Sequence, residues 1–468
     1  MTDQAVQIII TVVVGQEKHE LHKDIPAEQL ESTIKDLSQE VGQAIFRTVL
    51  QVLDDQMQKT IPKTWKNVGR ALRKVTFESG YVIYRRRIYR DEHGQIWKPL
   101  DLLLGVEAYA RNSRRVQEMG CLLASRSSYR NASEMLSYLL KTVISPSSLQ
   151  RIVKRFGAYI SASEADWRRE EQAGKIKAPI LYAESDGVWL HLQQANTKRA
   201  EVKVGLLYTG KRRIGIDRFA CENKVVMTQL GGSNQQWQIK LRELADRHFD
   251  LNQTNYLVIG GDGATWVKHS FDLLNLPQLA VLDRFHVARA VHSAFGKLTN
   301  SQELLDSLFS QPFDTVKPQI LKLISQTKGK QAILLKRTLD YLENNQHALP
   351  DLKYRLPSDL KSVTLGCAEA NVDKLVRQRM RGRGFSWSRD GAQSMLAVLR
   401  HKDTLSKIVF HRPATANKHR PSTRNPAPLP YQPISASLPI FSSAEASKDW
   451  VQLLKNRMNK ELSLTELF

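Results

Sequence analysis

Pro179-Ile-Leu-Tyr-Ala-Glu-Ser-Asp-Gly-Val-Trp-Leu-His-Leu192 is the stretch on which the fold turns. Its length and apolar content predict a long buried strand over Ile180–Leu192. Asp186 lies in the middle of it, where an acid is costly unless something compensates it. Outward from this strand, Val202–Tyr208 reads as a second strand, and residues between Ile214 and Met227 supply a third. Gln235–Phe249 has helical character. Tyr256–Ile259 is a short buried strand with a helix from Ala264, and Ala280–Leu282 is another with a helix from Arg284. Three strands followed by alternating helices and strands predict an α/β domain of the RNase H-like type over residues 175–400. Residues 287–360 carry helical patterns alone and read as an insertion within it.

Three acids fall where a sheet-based metal site wants them: Asp186 on the first strand, Asp262 after Leu257-Val-Ile-Gly-Gly261, and Glu369 in Gly366-Cys-Ala-Glu-Ala-Asn-Val372 at a helix start. Ligands of open α/β sheets gather at the carboxyl ends of strands. The glycines flanking Asp262 admit close approach of backbone or substrate. Phosphodiester cleavage and strand transfer need a nucleophilic oxygen and a stabilised leaving oxygen, and two Mg²⁺ ions roughly 3.5–4 Å apart serve both. Mg²⁺, or Mn²⁺ in its place, takes carboxylate oxygens rather than thiolates. Each assignment has a rival. Alternation puts Glu184 on the same strand face as Asp186; Asp262 could be a helix N-cap; and Asp373 lies one helical turn beyond Glu369. Asp283 and His286, three apart at a strand-to-helix junction, could orient a ligand, with an N-cap and a core histidine as the plain alternative.

The chain of 468 residues has 69 Lys+Arg against 47 Asp+Glu, a net charge of +22. So large an excess points to a polyanion, DNA above all. Three well-separated cysteines and no CxxC pair exclude a zinc ribbon and a disulfide framework and fit a reducing cytosol. The apolar run Ile8–Val14 is too short to span a bilayer and reads as a strand, so no membrane association is expected.

The catalytic region is expected to follow a mainly helical DNA-binding region. Residues 1–60 form a module with a packing helix between Pro26 and Gln58. Residues 61–118 hold a basic β-hairpin with Arg85-Arg-Arg87 and Arg90, either along a phosphate backbone or on a solvated sheet face. Residues 119–160 read as a helix-turn-helix. Its second helix is capped by Ser145 and begins at Pro146. There Leu149, Ile152, Val153 and Phe156 face inward, while Gln150, Arg151, Lys154 and Arg155 face outward, the first three as candidate DNA contacts. After Glu369, the run Arg377-Gln-Arg-Met-Arg-Gly-Arg-Gly-Phe-Ser-Trp387 offers Arg379, Arg381 and Arg383 to phosphates and Trp387 to a base. Residues 411–440 read as a disordered Pro-rich linker and 441–468 as a C-terminal helix.

Ser185-Asp-Gly-Val-Trp189, Gly261-Asp-Gly-Ala-Thr-Trp266, Leu282-Asp-Arg-Phe-His286 and Arg379-Met-Arg-Gly-Arg-Gly-Phe-Ser-Trp-Ser388 together resemble the ISLre-type bacterial insertion-sequence transposases, over roughly residues 70–400. The resemblance implies an RNase H-like domain with a divalent metal on an acidic triad, and it maps the first two acids to Asp186 and Asp262. Glu369 fits the third by its place ahead of the Arg-Gly-Arg-Gly run. Asp283 and His286 are similar to an Asp/Cys-x-x-His element of related transposases, which gives His286 a catalytic role. The expected partners are the element's terminal inverted repeats, target DNA and further copies of the chain in a synaptic complex, in a bacterial cytoplasm at the nucleoid. The Pro-rich segment departs from the pattern. A structure-selective nuclease and a non-catalytic DNA-binding regulator from a decayed element are the competing readings.

Overall fold

The computed structural model describes residues 5–405 except 15–16, 27–28, 167–174, 194–197, 217, 297, 358–359, 361–362, 383 and 404. The predicted Pro-rich linker, the C-terminal helix and Arg383 lie outside the described residues. Two compact units divide the described residues, one from those up to Val116 with Tyr138–Thr142, the other from Gln117–Ser137 with the described residues from Val143 onwards.

In the first unit, β1 (Ala5–Val14) and β2 (Glu17–Pro26) form an antiparallel hairpin. The strand expected at Ile8–Val14 is thus half of a pair, whose second half, Glu17–Pro26, is too polar to be read from periodicity. Helix α1 (Leu30–Met57) follows. Strands β3 (Lys66–Phe77), β4 (Gly80–Arg90) and β5 (Ile96–Trp97) form a meander, and α2 (Pro99–Leu103) closes it. Leu50 of α1 shares one core with Val75, Val82, Tyr84 and Leu100. This hairpin is more than a solvated basic face. Arg86 is buried and its Nε donates to Asp101 at 2.7 Å, while Arg87 is buried and its guanidinium donates to Asp54 at 2.6 Å. Arg85 and Arg90 remain exposed.

Helices α3 (Arg114–Arg126), α4 (Tyr129–Leu140) and α5 (Pro146–Asp166) come next. The Ser145 hydroxyl accepts the Ser148 N–H at 3.2 Å, capping α5 where the sequence placed the cap. Leu149, Ile152, Val153 and Phe156 are buried, and Gln150, Arg151, Lys154 and Arg155 are exposed.

The second unit is a mixed α/β layer around five strands: β6 (Ile180–His191), β7 (Arg199–Tyr208), β10 (Val225–Leu230), β11 (Tyr256–Gly261) and β12 (Gln278–Leu282). Their spatial order is β10-β7-β6-β11-β12, antiparallel in the first three and parallel across β6, β11 and β12. The expectation of one strand between Ile214 and Met227 needs correction. A separate hairpin of β8 (Gly210–Gly215) and β9 (Arg218–Glu222) stands there, and the third sheet strand starts at Val225. A strongly basic, turn-containing segment cannot occupy a buried sheet position, whereas Val225–Leu230 can.

Alternation along β6 sets the two faces of the sheet. Leu181 and Ala183 join Trp237, Leu241 and Leu257 beneath α6 (Asn234–His248). Ile180 and Tyr182 join Tyr208, Val258 and Leu352 on the opposite face. A short helix α7 (Thr265–Lys268) follows β11. After β12 come α8 (Arg284–Phe295), α9 (Ser301–Ser310), α10 (Phe313–Ser325) and α11 (Gly329–Glu343), which share their own core around Val291, Leu308, Ile320 and Leu335. The chain returns through α12 (Ala368–Val372), a π-helical turn (Asp373–Arg377) and α13 (Gln378–Met380), and ends its described course at α14 (Arg389–Arg400). Among the described residues no helix is long and apolar enough to cross a membrane.

Candidate functional site

Strand register brings the acids of β6, β11 and β12 abreast. Gly260 pairs with Glu184, so two residues on, Asp262 comes level with Asp186. Gly261 pairs with Leu282, and the Asp283 N–H donates to the Gly261 carbonyl at 2.8 Å, so Asp283 comes level with Asp262. Three neighbouring parallel strands thus each deliver an aspartate at the carboxyl edge of the sheet.

Asp186 is half-buried. Its Oδ1 accepts the Gly187 N–H at 2.7 Å, and its Oδ2 is buried with no hydrogen-bond partner. Burial pushes its pKa up to about 6, and the charges of Glu369 and Asp262 add to the rise against the Gly187 N–H and Arg377. The following glycine leaves room for Glu201 and Trp266, since a Cβ there would stand 2.5 Å from Glu201 Oε1 and 3.2 Å from the Trp266 ring.

Asp262 does not cap a helix. Its Oδ1 accepts the Ala264 N–H at 2.9 Å, a turn that carries Gly263 at φ +89°. The Tyr341 hydroxyl donates to the Asp262 carbonyl at 3.0 Å. A Cβ on Gly263 would lie 2.8 Å from Asn345 Oδ1, so α11 and its exit clamp this loop. Burial, with the charges of Asp262 and Asp283, raises Tyr341 to about 12 and keeps it a neutral donor.

Glu369 stands in the first turn of α12, and Glu184 fixes where that helix starts. Glu184 is buried; its Oε2 accepts the N–H groups of Gly366, Cys367 and Ala368 at 3.1, 2.8 and 2.9 Å, and its Oε1 accepts the Tyr208 hydroxyl at 2.6 Å. Both oxygens are committed, so Glu184, which shares the strand face of Asp186, holds structure and leaves Asp186 as the available acid. The Glu369 carboxylate pairs with Arg377 across the π-helical turn. Such a turn widens the helix locally, and single π-turns occur often at functional positions. Asp373, the rival to Glu369, takes a hydrogen bond from Gln378 at 2.8 Å. A cleft of about 560 Å³ opens here, lined by Asp283, Phe285, Glu369, Asp373 and Arg377 among others.

Asp283 caps α8, its Oδ1 accepting the Phe285 N–H at 2.8 Å. His286 is half-buried with its ring edge-on to Phe285, 5.6 Å between centroids, so the plain alternative of a core histidine does not hold. Sequence reasoning missed Glu201. It lies on β7 opposite Trp189, and burial raises its pKa, with Asp262 adding and Lys203 opposing. Its strand alternates over Arg199–Val204 like any half-solvated strand, so only its proximity to Gly187 could have revealed it.

Among the described residues no three of His, Cys, Asp and Glu come close enough, as they stand, to hold a metal ion. The donor set nonetheless suits a hard divalent cation. Asp186 Oδ2 is a buried carboxylate oxygen without a partner, and the charges of Glu369 and Asp262 both act on it. The carboxylate of Glu369 is occupied by Arg377.

The predicted DNA contacts separate into two groups. Gln150, Arg151 and Lys154 are exposed on α5, with Lys154 Nζ 3.0 Å from Asp390. Arg381 is exposed. Arg379 and Trp387 require correction, because both are buried. The Arg379 guanidinium lies 5.1 Å from the ring centroids of Tyr129 and Trp387 and donates to the Ala124 carbonyl. The Trp387 indole N–H donates to the Met380 carbonyl at 3.0 Å. The pair joins α3, α4 and the chain after α13, so neither side chain is presented to a nucleic acid. Cys221 and Cys367, distant in sequence, meet with sulfurs 3.1 Å apart and remain free thiols.

A family model described as "Uncharacterised protein family (UPF0236)" matches residues 21–406. A relative from Streptococcus gallolyticus, named "UPF0236 protein in vanSb 3'region", is 28% identical over 383 residues, covering 79% of this chain and 82% of that one. Among solved structures, the Drosophila P element transposase strand transfer complex overlaps 65% of this chain and 95% of that chain at 10% identity, with a TM-score of 0.32.

Proposed function

We propose that this chain, which belongs to the UPF0236 family, is a metal-dependent DNA transposase of the ISLre type with an RNase H-like catalytic domain. The observation that carries the reading is the unpartnered, buried Oδ2 of Asp186, level with Asp262 and within the field of Glu369, at the carboxyl edge of a β10-β7-β6-β11-β12 sheet. The sequence reads as three strands followed by alternating helices and strands, and a sheet that is antiparallel and then parallel supports that reading. A net charge of +22 supplies the electrostatic attraction to DNA.

Asp186, Asp262 and Glu369 are the residues that would hold Mg²⁺ or Mn²⁺, with Arg377 releasing Glu369. When bound, the metal would activate an attacking oxygen and stabilise the leaving oxygen of a phosphodiester. The chain's own groups do the rest. Glu184 sets the start of the helix that carries Glu369, and Tyr341 and Asn345 hold the Asp262 loop. Arg377 lines the cleft as a cation beside the acids and suits a phosphate oxygen. His286 follows the Asp283 cap and is the group proposed to orient a ligand. DNA ends and target are the substrates, and further copies of the chain are the partners in synapsis.

The test compares wild type with Asp186→Asn and Asp262→Asn on labelled DNA carrying the element's terminal inverted repeats, with and without Mg²⁺. Cleavage and joining should fall by at least about a thousandfold, on the scale of losing a main catalytic group. Binding should be retained, because removing an acid near phosphates reduces repulsion. Wild-type binding without metal-dependent cleavage would favour the regulator reading, and cleavage of branched DNA regardless of end sequence the nuclease.

A further inference from the structure

We infer that the β8–β9 hairpin is a DNA-inserting wedge beside the cleft, an inference that rests on the DNA reading above. Its tip exposes Ile214, Ile216 and Phe219 at 59%, 85% and 61%. Exposed apolar side chains clustered on one short hairpin mark an interaction site rather than ordinary surface. The same hairpin exposes Arg212, Arg213 and Arg218. Arginines interspersed with bulky apolar groups fit duplex DNA, in which arginines grip phosphates and an apolar side chain enters between base steps.

The hairpin's base is fixed to the site. Lys211 Nζ donates to the Leu365 carbonyl at 3.3 Å, and Cys221 of β9 abuts Cys367 at 3.1 Å. Both contacts fall on the segment that leads into the helix of Glu369. A duplex with a phosphate at the acids would therefore pass the hairpin, whose tip would unstack a step close to the reacting bond. Charge selects the occupant. Three exposed arginines on one short hairpin complement the phosphates of DNA.

The test uses the full chain and a random-sequence duplex carrying 2-aminopurine at a TA step, whose fluorescence rises on unstacking. Wild type should bind and raise the signal. Ile216→Ala with Phe219→Ala should bind within about threefold of wild type and lose most of the rise. Arg212→Ala with Arg213→Ala should bind on the order of tenfold more weakly and reduce the salt slope by about 2. These residues are exposed, so unchanged circular dichroism and melting are expected. Wild-type binding without a fluorescence rise overturns the wedge, and an arginine variant with wild-type affinity and salt slope overturns the contact; both leave the DNA reading standing. Failure of wild type to bind any duplex overturns that reading and the wedge with it. A dimer in sedimentation that the tip variant dissociates would assign the tip to a second copy and also overturn the inference.

Discussion

Replacing Glu184 separates an acid that holds the site from the acids that form it. In Glu184→Ala, three backbone N–H groups and the Tyr208 hydroxyl lose their acceptor together. The Gly366 and Cys367 groups are partly accessible and recover water, whereas the Ala368 N–H bond and the Tyr208 bond are buried. Two buried donors left unsatisfied at about 1–3 kcal/mol each give a loss of about 4 kcal/mol. Glu184→Gln keeps an oxygen for the three N–H groups but turns an amide toward Tyr208, whose buried O–H then lacks an acceptor. The loss is about 2–3 kcal/mol, smaller than for Ala because the three N–H groups keep theirs. Urea unfolding by circular dichroism measures both, and hydrogen exchange at the Gly366–Ala368 amides reports the local effect. The Gln variant should keep substantial activity and the Ala variant should lose it as the start of α12 loosens. An Ala variant within 1 kcal/mol of wild type, with protected amides at Gly366–Ala368, would refute the structural role. A fully stable but inactive Gln variant would move Glu184 into the chemistry.

Two further predictions concern the packing of α5 on α14. Gly157→Ala places a Cβ 2.3 Å from the Ser394 carbonyl oxygen and 2.6 Å from its Cα, both backbone atoms. Overpacking of about 1–3 kcal/mol or more outweighs the helix-propensity gain of about 0.5–1 kcal/mol. Thermal unfolding should therefore show a lower Tm, and a stabilised variant would mean the crossing is looser than described. Glu164 lies between Arg400 and His401; burial opposes its charge, but the Arg400 charge and the hydrogen bonds from His401 and Arg400 outweigh that and hold its pKa near 2. A depressed carboxylate pKa stabilises above the unfolded value and loses that contribution as pH falls toward the folded one. About 3 kcal/mol should thus disappear between about pH 5 and pH 2. Glu164→Gln should flatten this part of the stability–pH curve in urea titrations, and an unchanged curve would count against the network.

The central strands, the acids at their ends and the helical insertion were legible because each has a local signal. Ile180–Leu192 and Tyr256–Ile259 are too apolar for anything but buried strands, and Asp262 and Asp283 follow such strands directly. The face pattern of α5 and its Ser145 cap were legible for the same reason. What escaped was tertiary. Arg379 and Trp387 sit in a run of arginines and glycines that looks like a solvated basic loop, yet they bury each other against Tyr129. Arg86 and Arg87 looked like surface charge until Asp101 and Asp54 arrived from other elements. The β8–β9 hairpin was merged with β10 because strand propensity does not say which sheet a strand joins. Glu201 became a site residue only through the register of β6 with β7.

Asp186 feels the charges of Glu369 and Asp262, and Glu201 that of Asp262, and a fold that sets like charges against one another must balance them. Lys203 does so at one end, where its charge opposes the rise of Glu201 and its ammonium lies 4.9 Å from the Trp266 ring. Arg377 does so at the other, paired with Glu369 and acting on Asp186. Among the described residues, Asp186 Oδ2 is the carboxylate oxygen left buried without a partner. Burying a charged oxygen in that way destabilises the fold unless binding compensates for it. The charges of Glu369 and Asp262 both act on this oxygen, which is the observation that the proposed cation site rests on.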